Sequence, residues 1–142
     1  MASVHADIRN ALEAQVANIA GVPTPVGSAN SFEGVEFEPT QGTSWLRVRV
    51  YPLSRRPLDV TADGLQRYDG TLLIQVHTPF GYGAGAGETL ADAVVAAYEA
   101  GSVFTSNGTN VQIEYAEVNN SPQSDPPWVI TPVLIKWKSF SN

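Results

Sequence analysis

The chain has no cysteine, two histidines and one methionine in 142 residues. Without thiols there is no disulfide framework, no thiolate zinc site and no cysteine nucleophile. The two histidines, His5 and His77, are isolated. A metal site would need carboxylates to complete it, and His77 has no His or Asp at ligand spacing, so a metal centre or a histidine general base is not expected. Charge is also scarce, at 15% of residues, and it is unbalanced: 8 Lys+Arg against 14 Asp+Glu, net −6. An acidic domain has no general attraction for phosphate backbones, which disfavours nucleic-acid binding as the main task. No apolar run approaches the length of a bilayer span. The N-terminus lacks the basic region and apolar run of a secretory signal, which predicts a protein made and used in a cytoplasm.

What is present is a core. Hydrophobic residues make up 43% of the chain, and the length fits a single domain over 1–142. Few charges on a core-forming chain suit a subunit with large protein contacts, because interface centres are depleted of charge.

The periodicity gives an element order. Val4, Ile8, Leu12, Val16 and Ile19 recur at helical spacing, predicting a helix over 3–20 with Ser3 as N-cap and Gly21, Pro23 and Pro25 as its stop. Glu33, Glu36 and Glu38 alternate with Val35 and Phe37, which predicts a short strand at 34–38. From Trp45 to Tyr51, Leu46, Val48 and Val50 face one way and Trp45, Arg47, Arg49 and Tyr51 the other. Pro52 is expected to end that strand.

Residues 52–67 show no period and read as a long functional loop, with Leu53, Leu58, Val60 and Leu65 arguing against disorder. A second strand at 68–78 places Leu72, Ile74 and Val76 against Leu73, Gln75 and His77, with His77 on the polar face. A helix over 87–100 carries Leu90, Val94, Ala97 and Tyr98, with Gly101 as its C′ residue. Asn107-Gly108 signals a tight turn before a third strand through Val111, Ile113 and Tyr115. A fourth strand spans Trp128 to Trp137, with Pro132 expected at a bulge or an edge. The order predicts an α+β sandwich: a mostly antiparallel sheet of four to five strands packed by two helices.

Three features bear on chemistry. Gly81-Tyr82-Gly83-Ala84-Gly85-Ala86 matches the dinucleotide fingerprint in form. It lacks the acid that should close a second strand about 20 residues on, since Glu99 falls inside the helix. The plainer reading is a glycine-rich turn, and a small nucleotide-binding enzyme stays as the alternative function. The three glutamates read as a solvated strand face. Arg55-Arg56 between Pro52 and Pro57 is a basic loop on an acidic protein, a docking point for an acidic surface or a solvated tip. Together with Arg47 and Arg49 on the exposed strand face, and Arg67 at the end of the insert, these are the expected protein-contact residues.

The arrangement of parts resembles the phage tail terminator-like proteins. The likeness rests on the N-terminal helix, Glu33–Phe37, the strand from Trp45, the insert and Gly70-Thr71-Leu72-Leu73-Ile74-Gln75-Val76. It continues through Pro79-Phe80-Gly81-Tyr82-Gly83, the helix with Ala91-Asp92, and the strand from Trp128. The resemblance implies a structural protein of the virion, assembled in the host cytoplasm, and not an enzyme. It further implies a homohexameric ring on the head-proximal end of the tail tube, stopping tube growth and joining the head. The partners implied are other copies of the chain, the tube protein and a neck or head-completion protein. No cofactor, metal or membrane is implied, and DNA is free to pass through such a ring. A neighbouring neck, head-completion or tail-tube subunit is the other structural reading.

Overall fold

Thirteen- and fourteen-residue strands dominate the computed structural model, which describes residues 3–57, 66–119 and 121–141. Helix α1 (Val4–Ala14) is followed by a 3-10 turn at Gln15–Asn18 and a short helix α2 (Val26–Ala29). Strand β1 (Ser31–Phe32) leads to β2 (Trp45–Pro57) and β3 (Gln66–Pro79). Helix α3 (Gly85–Ala97) follows, then β4 (Val103–Ser106), β5 (Thr109–Val118), β6 (Gln123–Asp125) and β7 (Trp128–Ser141).

The fold is α+β. Its sheet has seven strands in the order β1-β2-β3-β7-β5-β4, with β6 also pairing β7. It is mixed, because β1 runs parallel to β2 while the other pairings are antiparallel. The expected four to five strands rise to seven because β1, β4 and β6 are too short to show a period.

One face of the sheet holds the core. Leu46, Val48 and Val50 of β2, Leu72, Ile74 and Val76 of β3, and Val133, Ile135 and Trp137 of β7 are all buried there. Ile8, Leu12 and Val16 from the N-terminal helical segment, with Ala91 and Val94 from α3 and Tyr98 just after it, close the other side. Ser3 caps α1 as expected, its Oγ accepting from the Ala6 amide at 3.3 Å. The helical segment is shorter than the predicted 3–20, since the α form gives way to 3-10 at Gln15.

Several expectations are corrected. The glutamate-rich segment 34–38 is not a strand; the place beside β2 is taken by Ser31 and Phe32, which pair with Arg47 and Val48. Pro52 does not end β2. The strand continues to Pro57 with a bulge between Pro52 and Ser54, and an edge strand with a bulge tolerates a missing donor. Residues 52–57 and 66–67 of the supposed loop are therefore paired strand; Leu58, Val60 and Leu65 lie outside the described residues. Helix α3 begins at Gly85 and stops at Ala97, where Tyr98 leaves helical geometry, and Gly101 sits three residues further on with φ +88°.

Asn107 and Gly108 form the tight turn, both with positive φ, joining β4 to β5 with Ser106 opposite Thr109. A two-residue turn of this hand matches the twist of the flanking strands. Pro132 is in the central strand β7, not at an edge. Its carbonyl accepts from Asn119 just beyond the last β5 pair, Val118–Val133, so the missing donor falls where the ladder passes from β5 to β6.

Candidate functional site: the charged face of the sheet

The bulge in β2 decides which arginines share a face. Arg47 and Arg49 lie on the side opposite Leu46, Val48 and Val50. The unpaired Leu53 shifts the alternation by one residue, so Ser54 and Arg56 return to the Arg47 face, opposite Asp69 and Arg67. Arg55 turns to the helix side. Its guanidinium lies 5.6 Å from the centre of the Tyr68 ring and donates to Gln66. The His5 ring meets the same tyrosine edge-on at 5.5 Å.

Asp69 is the hub of this outer face. It accepts from Ser54 Oγ at 2.8 Å and lies 3.3 Å from Arg67 Nε, 3.5 Å from Arg56 Nη2 and 3.7 Å from Lys136 Nζ. The Ser54 hydrogen bond, with the charges of Lys136, Arg56 and Arg67, holds its carboxyl below the ordinary range despite desolvation. Glu114 is the second anchor, 3.0 Å from Arg67 Nη2 and 3.9 Å from Lys138 Nζ. Arg47 donates to Gln75 at 3.4 Å. Arg49 donates to the Ser31 carbonyl at 2.9 Å and to Ser31 Oγ at 3.0 Å. Burial, then the neighbouring Arg47, pulls the Arg49 pKa down.

The face thus gathers six of the chain's eight cations: Arg47, Arg49, Arg56, Arg67, Lys136 and Lys138. Among the described residues, the acids seated between these cations are Asp69 and Glu114, with Glu117 further along β5. A protein of net −6 therefore carries a locally positive sheet face. Sequence reasoning named Arg47, Arg49, Arg55, Arg56 and Arg67. The structure brings four of them together and sets Arg55 apart. It also shows that Arg67 is already ion-paired within the chain. Asp69, Glu114, Lys136 and Lys138 were missed. The alternation of Lys136 and Lys138 with Ile135 and Trp137 was the available signal.

At the other end of this face the surface is aromatic. Trp45 stacks on His77, ring centres 3.8 Å apart and planes 14° apart, and meets Trp128 edge-on at 5.9 Å and Phe37 at 5.0 Å. His77, expected on a polar face, is 6% exposed because the indole covers it. Burial, aided by Arg47, lowers its pKa, against the pull of the Gln75 carbonyl 3.2 Å from Nδ1.

The glycine-rich turn does not build a nucleotide site of the dinucleotide type. That site needs a second strand parallel to the first, and the neighbours of β3 are β2 and β7, both antiparallel. Gly87 instead allows α3 to press on the sheet: a Cβ there would stand 2.9 Å from Thr131 Oγ1 and 3.2 Å from Thr78 Oγ1. Among the described residues no cluster of three His, Asp or Glu side chains is placed to hold a metal ion. Among them too, no helix is long and apolar enough to cross a membrane.

A family model for phage tail terminator proteins matches residues 7–137, nearly the whole chain. The chain belongs to the phage tail terminator family. Membership makes it a structural component of the phage tail. No curated protein matches it. Five chains of solved structures do. One of them, bearing only a sequence identifier for a name, superposes with a TM-score of 0.70 over 93% of this chain and 92% of its own. At 23% identity that likeness shows the fold alone.

Proposed function

We propose that the chain is a ring-forming subunit, six to a ring, that caps the head-proximal end of the tail tube, stops tube polymerisation and offers the surface to which the head joins. One observation carries the reading: the sheet has two different open edges. β1 covers β2 only at Arg47 and Val48, and from Tyr51 to Arg56 every β2 side chain is exposed, Leu53 at 61%. On the far side β4 reaches β5 only as far as Gln112, and the Gly101–Ser102 backbone only Ile113. Open edges with apolar residues are templates for another chain. Two unlike edges on opposite flanks favour a head-to-tail contact, which closes into a ring when the rotation allows it.

The positive sheet face then serves the axial partners. Arg47, Arg49, Arg56 and Arg67 present it to the tube or neck protein, and Arg55 faces a neighbouring subunit. Electrostatic complementarity of this kind fixes partner and register more than raw affinity. The test is imaging of tails made with Arg55→Glu and Arg56→Glu together. Folded protein that fails to cap, leaving tubes of uncontrolled length, supports the reading. Normal capping and infectious particles from the double variant would remove these arginines from it. Absence of the wild-type protein from the head-proximal end of tails would sink it.

A further inference from the structure

The flank of the sheet that β4 leaves open also carries a groove. Helix α3 and β5 enclose about 370 Å³ between Asp92, Val95, Ala96, Glu99, Ala100, Tyr115 and Ala116. Its floor is small and apolar, and two carboxylates stand on its rim. Among the described residues neither Asp92 nor Glu99 has a cation within ion-pair distance. Tyr115, 42% exposed, stands at the groove's margin.

Arg55 has the complementary chemistry. It is exposed, sits on the open β2 edge, and has no carboxylate partner among the described residues. Gln66 and Tyr68 hold its guanidinium in place, which lowers the cost of ordering it on binding. The two features cannot serve each other within one chain. The sheet order puts β3 and β7 between β2 and β5, a separation of about 14 Å at ordinary strand spacing.

We propose that Arg55 of one copy docks into the Asp92–Glu99 groove of the next. The aliphatic stem lies on Val95, Ala96 and Ala116, and the guanidinium sits between the two carboxylates. An arginine is suited to this because its stem is apolar and its head forks to carboxylate oxygens. The contact is heterologous, so every subunit gives one arginine and receives one. It rests on the ring reading above and names the residues that join one subunit to the next.

A charge swap tests it. Arg55→Glu and Glu99→Arg should each weaken self-association, measured by light scattering across a concentration series, by about tenfold or more. Arg55→Glu combined with Glu99→Arg in one chain should recover most of that loss. Both positions are exposed, so the fold should survive each change, which circular dichroism checks. Because the chain has no cysteine, Arg55→Cys with Glu99→Cys provides a second readout. A short bismaleimide should give a ladder of linked subunits from this variant, and not from either single cysteine variant. Neutral single reversals, a swap no better than the worse single, or monomer alone after cross-linking would overturn the contact. Rings that persist through those results leave the ring reading standing; tails whose head-proximal ends lack the wild-type protein overturn both.

Discussion

The indole of Trp45 lies flat on the imidazole of His77, with ring centres 3.8 Å apart. The pair fills the end of the sheet face where Trp128 and Phe37 complete the cover. Because burial lowers the His77 pKa, the unfolded chain takes up this proton at a higher pH than the native state does. The stabilisation is complete above the unfolded value of about 6.5 and is lost as pH falls through the native pKa. Urea unfolding between pH 8 and pH 5 should show stability declining toward acid. His77→Phe should flatten that decline; an unchanged slope would assign it to other groups.

Tyr98 joins the two helices. Its hydroxyl donates to the Leu12 carbonyl at 2.6 Å, and its ring meets Phe104 edge-on at 5.7 Å. Burial pushes the phenol far above its ordinary pKa. The stability from this group is therefore present below about pH 10 and lost as pH rises beyond it. Tyr98→Phe should cost about 1 kcal/mol at neutral pH and reduce the alkaline loss. Tyr98→Ala, which also empties the site, should cost about 4 kcal/mol. Chemical denaturation at pH 7 and pH 11 measures both.

Gly70 faces the Tyr51 carbonyl and the Trp137 ring. A Cβ there would clash with that oxygen and stand 2.6 Å from Trp137 Cζ2. Neither neighbour is the free end of a flexible side chain. Gly70→Ala should destabilise by about 3 kcal/mol, the upper range for overpacking. A shift of less than about 1 kcal/mol in the thermal or denaturant transition would mean that β2 yields easily at its bulge.

Asp69 holds Ser54 and three cations on the outer face. Asp69→Asn keeps the shape and removes the charge. It should cost about 1–3 kcal/mol at pH 7, because Lys136 and Arg56 then lose their carboxylate while Arg67 keeps Glu114. Since the Asp69 pKa is depressed, its contribution is present above the unfolded value and fades as pH falls through the native one. Wild type and variant should converge in stability toward pH 3. A gap that persists there would point to packing and not to charge.

The glycine-rich turn should bind no dinucleotide. Calorimetry with NAD and ATP should show no heat at micromolar protein, matching the absence of a parallel strand beside β3. Micromolar binding abolished by Gly83→Val would reverse this.

Period-two alternation from Trp45 to Tyr51 and from Leu72 to Val76, and the helical spacing of Ile8, Leu12 and Val16, were legible in the sequence. Each reports a side chain's local direction, which is fixed by backbone geometry alone. The core built from them follows directly, as does the turn at Asn107-Gly108 and the family resemblance. Short strands were not legible, because two to four residues cannot display a period. Nor was the hairpin through Pro52, since a proline reads as a stop unless the ladder around it is known.

What only the tertiary structure decided is the grouping of charge. By parity Arg55 should share a face with Arg47 and Arg49; the unpaired Leu53 sends Arg56 there and turns Arg55 away. The placement of Lys136 and Lys138 beside Asp69 and Glu114 depends on strand order, with β7 between β3 and β5. Strand order and register are long-range choices. They are made when whole faces bury together, and no local window of the sequence contains them.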